Sequence, residues 1–252
     1  MPAILLRTPI GLLVLCCALF ASVPSGQGIG AEFRPDQQQA IQGIIHDYLL
    51  NHPEVLTEAL QRAEAKLKGD AGEKAKQALV ARRNEIFDDP QTPVGGNPKG
   101  DVTLVEFFDY RCTYCKRMHP TLRELLAADR KLRIAYKEWP ILGPVSVTAA
   151  RAALAAHLQG KYEAFHNPMM TATGEITEDT VYRIAGSVGL DLERLKRDMA
   201  SPQIEAALKA NKDLASALDI HGTPAFVVGD QIVPGAIDLS AIEDLVAGAR
   251  KK

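Results

Sequence analysis

The sequence predicts an α/β domain with a helical insertion, preceded by a helical extension, and three observations carry that reading. Val102–Phe108 is an apolar, β-branched and aromatic run, and Leu132–Lys137 alternates; both read as strands, with a helical stretch between them. Ala225–Val228 and Gln231–Val233 flank Gly229-Asp230, the pattern of a short hairpin. The Ala-rich stretch from Val147 to about Ala215 has helical content throughout, so the element order is strand, helix, strand, helical block, hairpin, helix.

Composition sets outer limits. The 252 residues are 46% apolar and 24% charged, enough for a packed core. A net charge of −2, from 29 basic and 31 acidic side chains, lacks the footprint of a dedicated nucleic-acid binder, so no nucleic-acid partner is expected. Four cysteines are too few for a disulfide-knot scaffold.

The elements follow in order. Residues 1–31 carry Arg7 as their one charge, then the apolar run Ile10–Phe20, then Ser22, Pro24 and a series of small residues. A basic start, a short apolar run and a small-residue exit predict a cleaved signal peptide; the run falls short of the ~20 residues that span a bilayer. Export places the mature chain in an oxidising compartment, and Cys112 and Cys115 are the two cysteines that stay with it.

From Asp36 the chain reads as helix, with Ile41, Ile44, Ile45, Tyr48 and Leu49 on one stripe. Asn51-His52-Pro53 breaks it, Pro53 opens a second helix, and Gly69 and Gly72 interrupt that one before a further helical run to about Phe87. Residues 32–88 are therefore read as a helical stalk. Its stripe needs a partner, either the body of the same chain or a second copy through residues 36–68; self-association is the expectation. Segment 89–100, with three prolines and three glycines, is read as a linker, and 101–252 as the main body with an insertion at about 144–215. Within that insertion, breaks are expected at Gly160, Asn167-Pro168, Gly174 and Gly189. A closing helix runs from Leu239 to Ala249.

The chemistry sits at Cys112-Thr113-Tyr114-Cys115, at a strand-to-helix junction. At a helix start, unpaired backbone N–H groups and the helix dipole stabilise a thiolate on the first cysteine. Arg111, Lys116 and Arg117 are expected to add to this. The second cysteine, one turn inside, is placed to resolve a mixed disulfide. Two other readings remain open. A structural bridge over so short a loop constrains little of the unfolded chain. Half of a zinc site would need a second close cysteine pair, so no metal site is assigned; Cu(I), which accepts two thiolates, stays an alternative. His119 and His221 read as packing or surface residues.

The run Val105-Glu106-Phe107-Phe108-Asp109-Tyr110-Arg111-Cys112-Thr113-Tyr114-Cys115-Lys116 resembles the active-site strand and helix of the DsbA family of thioredoxin-fold oxidoreductases. His221-Gly222-Thr223-Pro224-Ala225-Phe226 is similar to that family's loop in which Thr precedes a cis-proline, and Tyr48–Leu56 resembles the amino-terminal run of the ScsC (suppressor of copper sensitivity) branch. The resemblance implies a thioredoxin-like fold, with Cys112 as nucleophile and Cys115 as resolving thiol. It implies that Thr223 and a cis Pro224 pair with an extended substrate segment. Glu106 would be a buried proton acceptor for the resolving thiol, its rival role being a structural partner of Lys137; Pro120 would kink the active-site helix. It also implies a periplasmic enzyme whose partners are unfolded or misoxidised exported proteins and a membrane thiol-disulfide reductant or oxidant. No cofactor beyond the redox-active pair is implied. Thr113-Tyr114 stands where the most oxidising relatives carry Pro-His, which tilts the expected activity from oxidase towards isomerase or reductase.

Overall fold

The protein is described by a computed structural model over residues 33–251, so the expected leader, 1–31, lies outside the described residues. The chain divides into two compact units, the first ending at Ala59 and the second running Leu60–Lys252. Within the first, α1 (Pro35–Asn51) has Pro35 in its opening turn and Asp36 favourably placed toward the helix's positive end. The helix ends at His52, and Pro53 starts α2 (Pro53–Ala81), as the sequence predicts. Ile41, Ile44, Ile45 and Tyr48 are all exposed.

Gly69 and Gly72 do not interrupt α2, contrary to expectation. Their surroundings are open, and two glycines within 29 residues cost helix propensity without breaking it. The second unit continues with α3 (Arg83–Phe87), β1 (Val94–Gly96), β2 (Val102–Phe108), α4 (Thr113–Ala128) and β3 (Leu132–Glu138). The insertion follows as α5 (Pro144–Leu158), α6 (Tyr162–Thr171), α7 (Glu178–Ser187), α8 (Leu192–Met199) and α9 (Pro202–Ala217). The chain closes with β4 (Ala225–Val228), β5 (Gln231–Pro234) and α10 (Leu239–Arg250). Gly160, Gly174 and Gly189 do end insertion helices, each with a positive φ that favours glycine. Asn167-Pro168 does not, because Pro168 is accommodated inside α6.

The five strands form one sheet in the order β1-β3-β2-β4-β5, with β2 at its centre. It is parallel to β3 and antiparallel to β4, which explains why its sequence is apolar throughout: both faces are covered. Leu104 and Phe108 pack with Ile134, Leu122 of α4, Ile242 of α10 and the alanines of α5. Val105 and Phe107 point the other way, into a second cluster with Val227, Leu214, Leu218, Leu79, Ile86 and Phe87. That second cluster moves the stalk boundary. The stalk is read from the sequence as 32–88, yet Leu79, Ile86 and Phe87 are core residues of the second unit.

Segment 89–100 is likewise not a bare linker, since β1 lies within it and pairs antiparallel with β3, Val94 opposite Ala135 and Gly96 opposite Arg133. The glycines are there for space. A Cβ on Gly95 would stand 2.8 Å from Glu163 Oε1 and 2.9 Å from Tyr136 Oη, and Gly96 has a φ of +75°. Lys137 of β3 anchors this edge from below. Its buried Nζ donates to Asp89 Oδ2 at 3.2 Å and to Thr92 Oγ1 at 2.5 Å.

A buried cation left without its partner costs more than an apolar replacement of similar size. Asp89→Ala should therefore lower unfolding free energy by about 3 kcal/mol, and Lys137→Met by clearly less. Urea unfolding of the two variants decides this; an Asp89→Ala protein as stable as the parent would remove Lys137 from this anchoring role.

Candidate active site

Strand β2 delivers the chain to the reactive end of the sheet, and a tight turn converts it into α4. Cys112 N–H donates to the Asp109 carbonyl at 3.0 Å, and Cys112 is the N-cap of α4. Its Sγ accepts the Cys115 N–H at 3.4 Å, the position at which a helix start offers unpaired donors. As a thiol, the same sulfur donates to the Thr223 carbonyl at 3.2 Å, and the Thr223–Pro224 peptide bond is cis, as expected. Both thiols are free and buried.

The two sulfurs differ in acidity. Cys112 is pulled down to about 5, chiefly by the hydrogen bond from the Cys115 thiol, with Thr223 and the Cys115 and Tyr114 N–H groups adding to it against a desolvation cost. Cys115 is pushed far above the thiol range by burial, by that same hydrogen bond and by the nearby Glu106. At neutral pH the pair is therefore one thiolate and one thiol. The basic neighbours contribute otherwise than expected. Lys116 Nζ donates to the Ala172 carbonyl at 2.6 Å, Arg111 to the Leu142 carbonyl at 2.6 Å, and Arg117 lies over the Tyr114 ring at 4.5 Å.

Glu106 shares the α4-facing side of β2 with Leu104 and Phe108. It is buried, and its Oε1 has no hydrogen-bond partner. Burial and the charge on Cys112 raise it to about 8, so at neutral pH it is largely the protonated acid. The alternative pairing with Lys137 does not form. In the parallel register Glu106 lies opposite Tyr136, and Lys137 lies opposite Phe107, so its side chain projects from the other face.

Sequence reasoning assigned no role to Asp109, which the structure places at the hub of the turn. Its buried carboxylate accepts from Arg111 N at 2.7 Å, Ser146 Oγ at 2.8 Å, Ile141 N at 2.8 Å and Leu142 N at 3.0 Å. A second cluster it missed lies beneath: Glu138 Oε1 accepts from Tyr162 at 2.7 Å and from Tyr110 at 3.1 Å, and the Tyr110 hydroxyl also meets His166 Nδ1 at 3.1 Å. Burial holds the Glu138 carboxyl well above its ordinary range. His119 packs against His166, ring centroids 5.4 Å apart, and burial lowers it to about 4, while His221 is exposed and pairs with Asp219 at 2.9 Å. Both fit the non-ligand reading. Among the described residues no group of three or more His, Cys, Asp or Glu is arranged to hold a metal ion. The sulfurs of Cys112 and Cys115 are what the site would offer a thiophilic, low-coordinate ion.

A mixed α/β sheet presenting an acidic thiolate at a helix start, opposite a cis-proline loop, defines a thioredoxin-fold thiol-disulfide oxidoreductase. Residues 103–247 match the DSBA-like thioredoxin domain, and residues 37–68 match the copper resistance protein ScsC N-terminal domain. The chain belongs to the DsbA-like family. Among solved structures, a thioredoxin-like oxidoreductase from Silicibacter pomeroyi is 52% identical, with a TM-score of 0.66 over 68% of this chain and 98% of that one. Proteus mirabilis ScsC in a transitional conformation is 28% identical, also with a TM-score of 0.66, over 87% of this chain and 99% of that one. A curated relative, the Na(+)/H(+) antiporter NhaA 3 of Salinispora tropica, is 29% identical over 181 residues, 69% of this chain. This chain spans about 28% of the antiporter's length. Among the described residues no helix is long and apolar enough to cross a membrane.

The split acidity gives a pH signature. Thiolate absorbance of the reduced protein should rise through about pH 5, carried by Cys112, with no further thiol titrating near the ordinary ~8.5. Because the folded value lies below the unfolded one, the stabilisation from this ionisation is complete above the unfolded pKa and is lost as pH falls through about 5. A single inflection near 8.5 would contradict the assignment.

Proposed function

We propose that this is an exported, periplasmic thiol-disulfide oxidoreductase that works mainly as a disulfide isomerase or reductase on misoxidised exported proteins. The observation that carries the redox reading is the unequal pair: an ionised Cys112 beside a protonated, buried Cys115. The Cys112 thiolate attacks a client disulfide, forming a mixed disulfide and releasing the client's other thiolate. The mixed disulfide removes the Cys112 charge that helps keep Glu106 protonated; the carboxylate form of Glu106 then takes the Cys115 proton, and the Cys115 thiolate attacks Cys112, releasing the second client thiolate and closing the Cys112–Cys115 disulfide. The two electrons that reduce the client come from the pair, and a membrane thiol-disulfide reductant restores it. In isomerisation a second client thiol displaces Cys112 instead, and the pair stays reduced. Thr223 and Pro224 face the reactive sulfur and offer backbone to an extended client.

Two observations favour isomerase or reductase over oxidase. Thr113-Tyr114 supplies no histidine between the cysteines, and the exposed stripe of α1 supports assembly of several copies through residues 36–68, which brings several redox sites to one client. The match of residues 37–68 to a copper-resistance domain favours one second reading, Cu(I) capture by the two sulfurs.

The test combines solution mass with refolding of a scrambled-disulfide client. The parent should be an oligomer that restores client activity. An Ile45→Glu/Tyr48→Glu protein, altered at two exposed positions, should be monomeric and lose most of the isomerase activity while still reacting with small disulfides. A monomeric parent that only oxidises reduced thiols would overturn the isomerase reading. Stoichiometric Cu(I) uptake without turnover on disulfides would replace it with the copper reading.

A further inference from the structure

A groove of about 690 Å³ opens between the insertion helices α5 and α9 and the segment that leads into the cis-proline loop. Its floor is apolar: Trp139 and Ile141 from the loop after β3, Leu208 of α9, and Ile220. His221, also in its lining, stands two residues before Thr223, whose carbonyl contacts Cys112. The groove and the sulfur are locked to each other by Asp109. Its carboxylate accepts from the N–H groups of Ile141, which lines the groove, of the adjacent Leu142, and of Arg111 in the turn that carries Cys112. It also binds Ser146 at the start of α5. Ile141 keeps its apolar side chain 41% exposed despite this bracing.

Charge distinguishes this groove from the rest of the molecule. The whole chain has a net charge of −2, yet the groove is lined by Arg151, Lys209 and Lys212 against a single acid, Glu205. Arg151 pairs with Glu205, and Lys209 with Asp213 at 2.5 Å. Lys212 feels the charge of Asp213 as well, but among the described residues it is the groove-lining Lys or Arg that makes no direct ion pair. The hollow between β5 and α10 has the opposite character, with Asp230 and Asp244 and no cation in its lining.

We infer that this groove is a client subsite that selects an extended segment in which an apolar side chain is followed by an acidic one, on the side of the client cysteine that passes over His221. This rests on the thiol-disulfide reading above and adds to it a sequence preference. The apolar side chain fills the Trp139–Leu208–Ile220 floor, and the acidic side chain reaches Lys212. The contribution of an exposed ion pair is modest and screened by salt, whereas apolar burial is not. Two components with different salt dependence are therefore expected in one preference.

The experiment follows the reaction of the reduced full chain with symmetric peptide disulfides carrying Leu-Glu, Leu-Lys or Ser-Glu beside the cysteine. Hydroxyethyl disulfide, too small to reach the groove, serves as the reference. Leu-Glu should react about three- to fivefold faster than Leu-Lys at low ionic strength, with the gap closing in high salt. Leu-Glu should outpace Ser-Glu by roughly tenfold at either salt concentration. Lys212→Glu should reverse the Glu-over-Lys preference while leaving hydroxyethyl disulfide unaffected, and Ser216→Glu, at a second exposed position in the groove, should weaken it. No reaction with hydroxyethyl disulfide would overturn the redox reading itself. Normal reaction with it, together with no peptide preference or one that Lys212→Glu leaves intact, would overturn the subsite alone.

Discussion

Everything reactive in this chain depends on one sulfur being held at the start of a helix. Cys112 caps α4 through its own Sγ, so the donors that stabilise its charge are the ones every helix start leaves unsatisfied. Those donors exist only if β2 ends and α4 begins within a four-residue turn. That turn is possible because Asp109 satisfies its backbone from a buried position. The same geometry places Cys115 one turn inside, in contact with the first sulfur but cut off from water, and burial there raises one thiol as firmly as the helix start lowers the other.

The sheet accounts for the proposed third participant. A period of two puts Glu106 on the face that α4 covers and Lys137 on the opposite face, so one carboxylic acid is left unpaired beneath the sulfurs while the lysine secures the β1 edge. An orphaned buried carboxyl costs stability. In the proposed mechanism, its position beside a buried thiol that must lose a proton gives that cost a functional return. The insertion is tied to this frame through Ser146 and through the Tyr110–Glu138–Tyr162 cluster, so helices distant in sequence bear directly on the turn that carries Cys112.

Much of this was legible in the sequence, for local reasons. Val102–Phe108 read as a buried strand because a central strand is apolar on both faces, and the hairpin was visible in Gly229-Asp230. The reactive pair announced itself by spacing at a strand-to-helix junction. Features made by partners distant in sequence were hidden. Val94-Gly95-Gly96 carries one apolar side chain among prolines and glycines, and it is a strand only because β3 offers it an edge. Leu79, Ile86 and Phe87 belong to the core, yet nothing local separates them from the helix before them. Asp109 looked like an ordinary loop aspartate, since three of its four donors come from more than 30 residues away.

A helix start that stabilises the Cys112 thiolate stabilises the reduced pair, and the reduction potential of the Cys112–Cys115 couple reads that stabilisation out. Equilibration with glutathione redox buffers should give a value clearly more oxidising than the roughly −270 mV of thioredoxin. A value at or below about −300 mV, the range of structural disulfides, would contradict it.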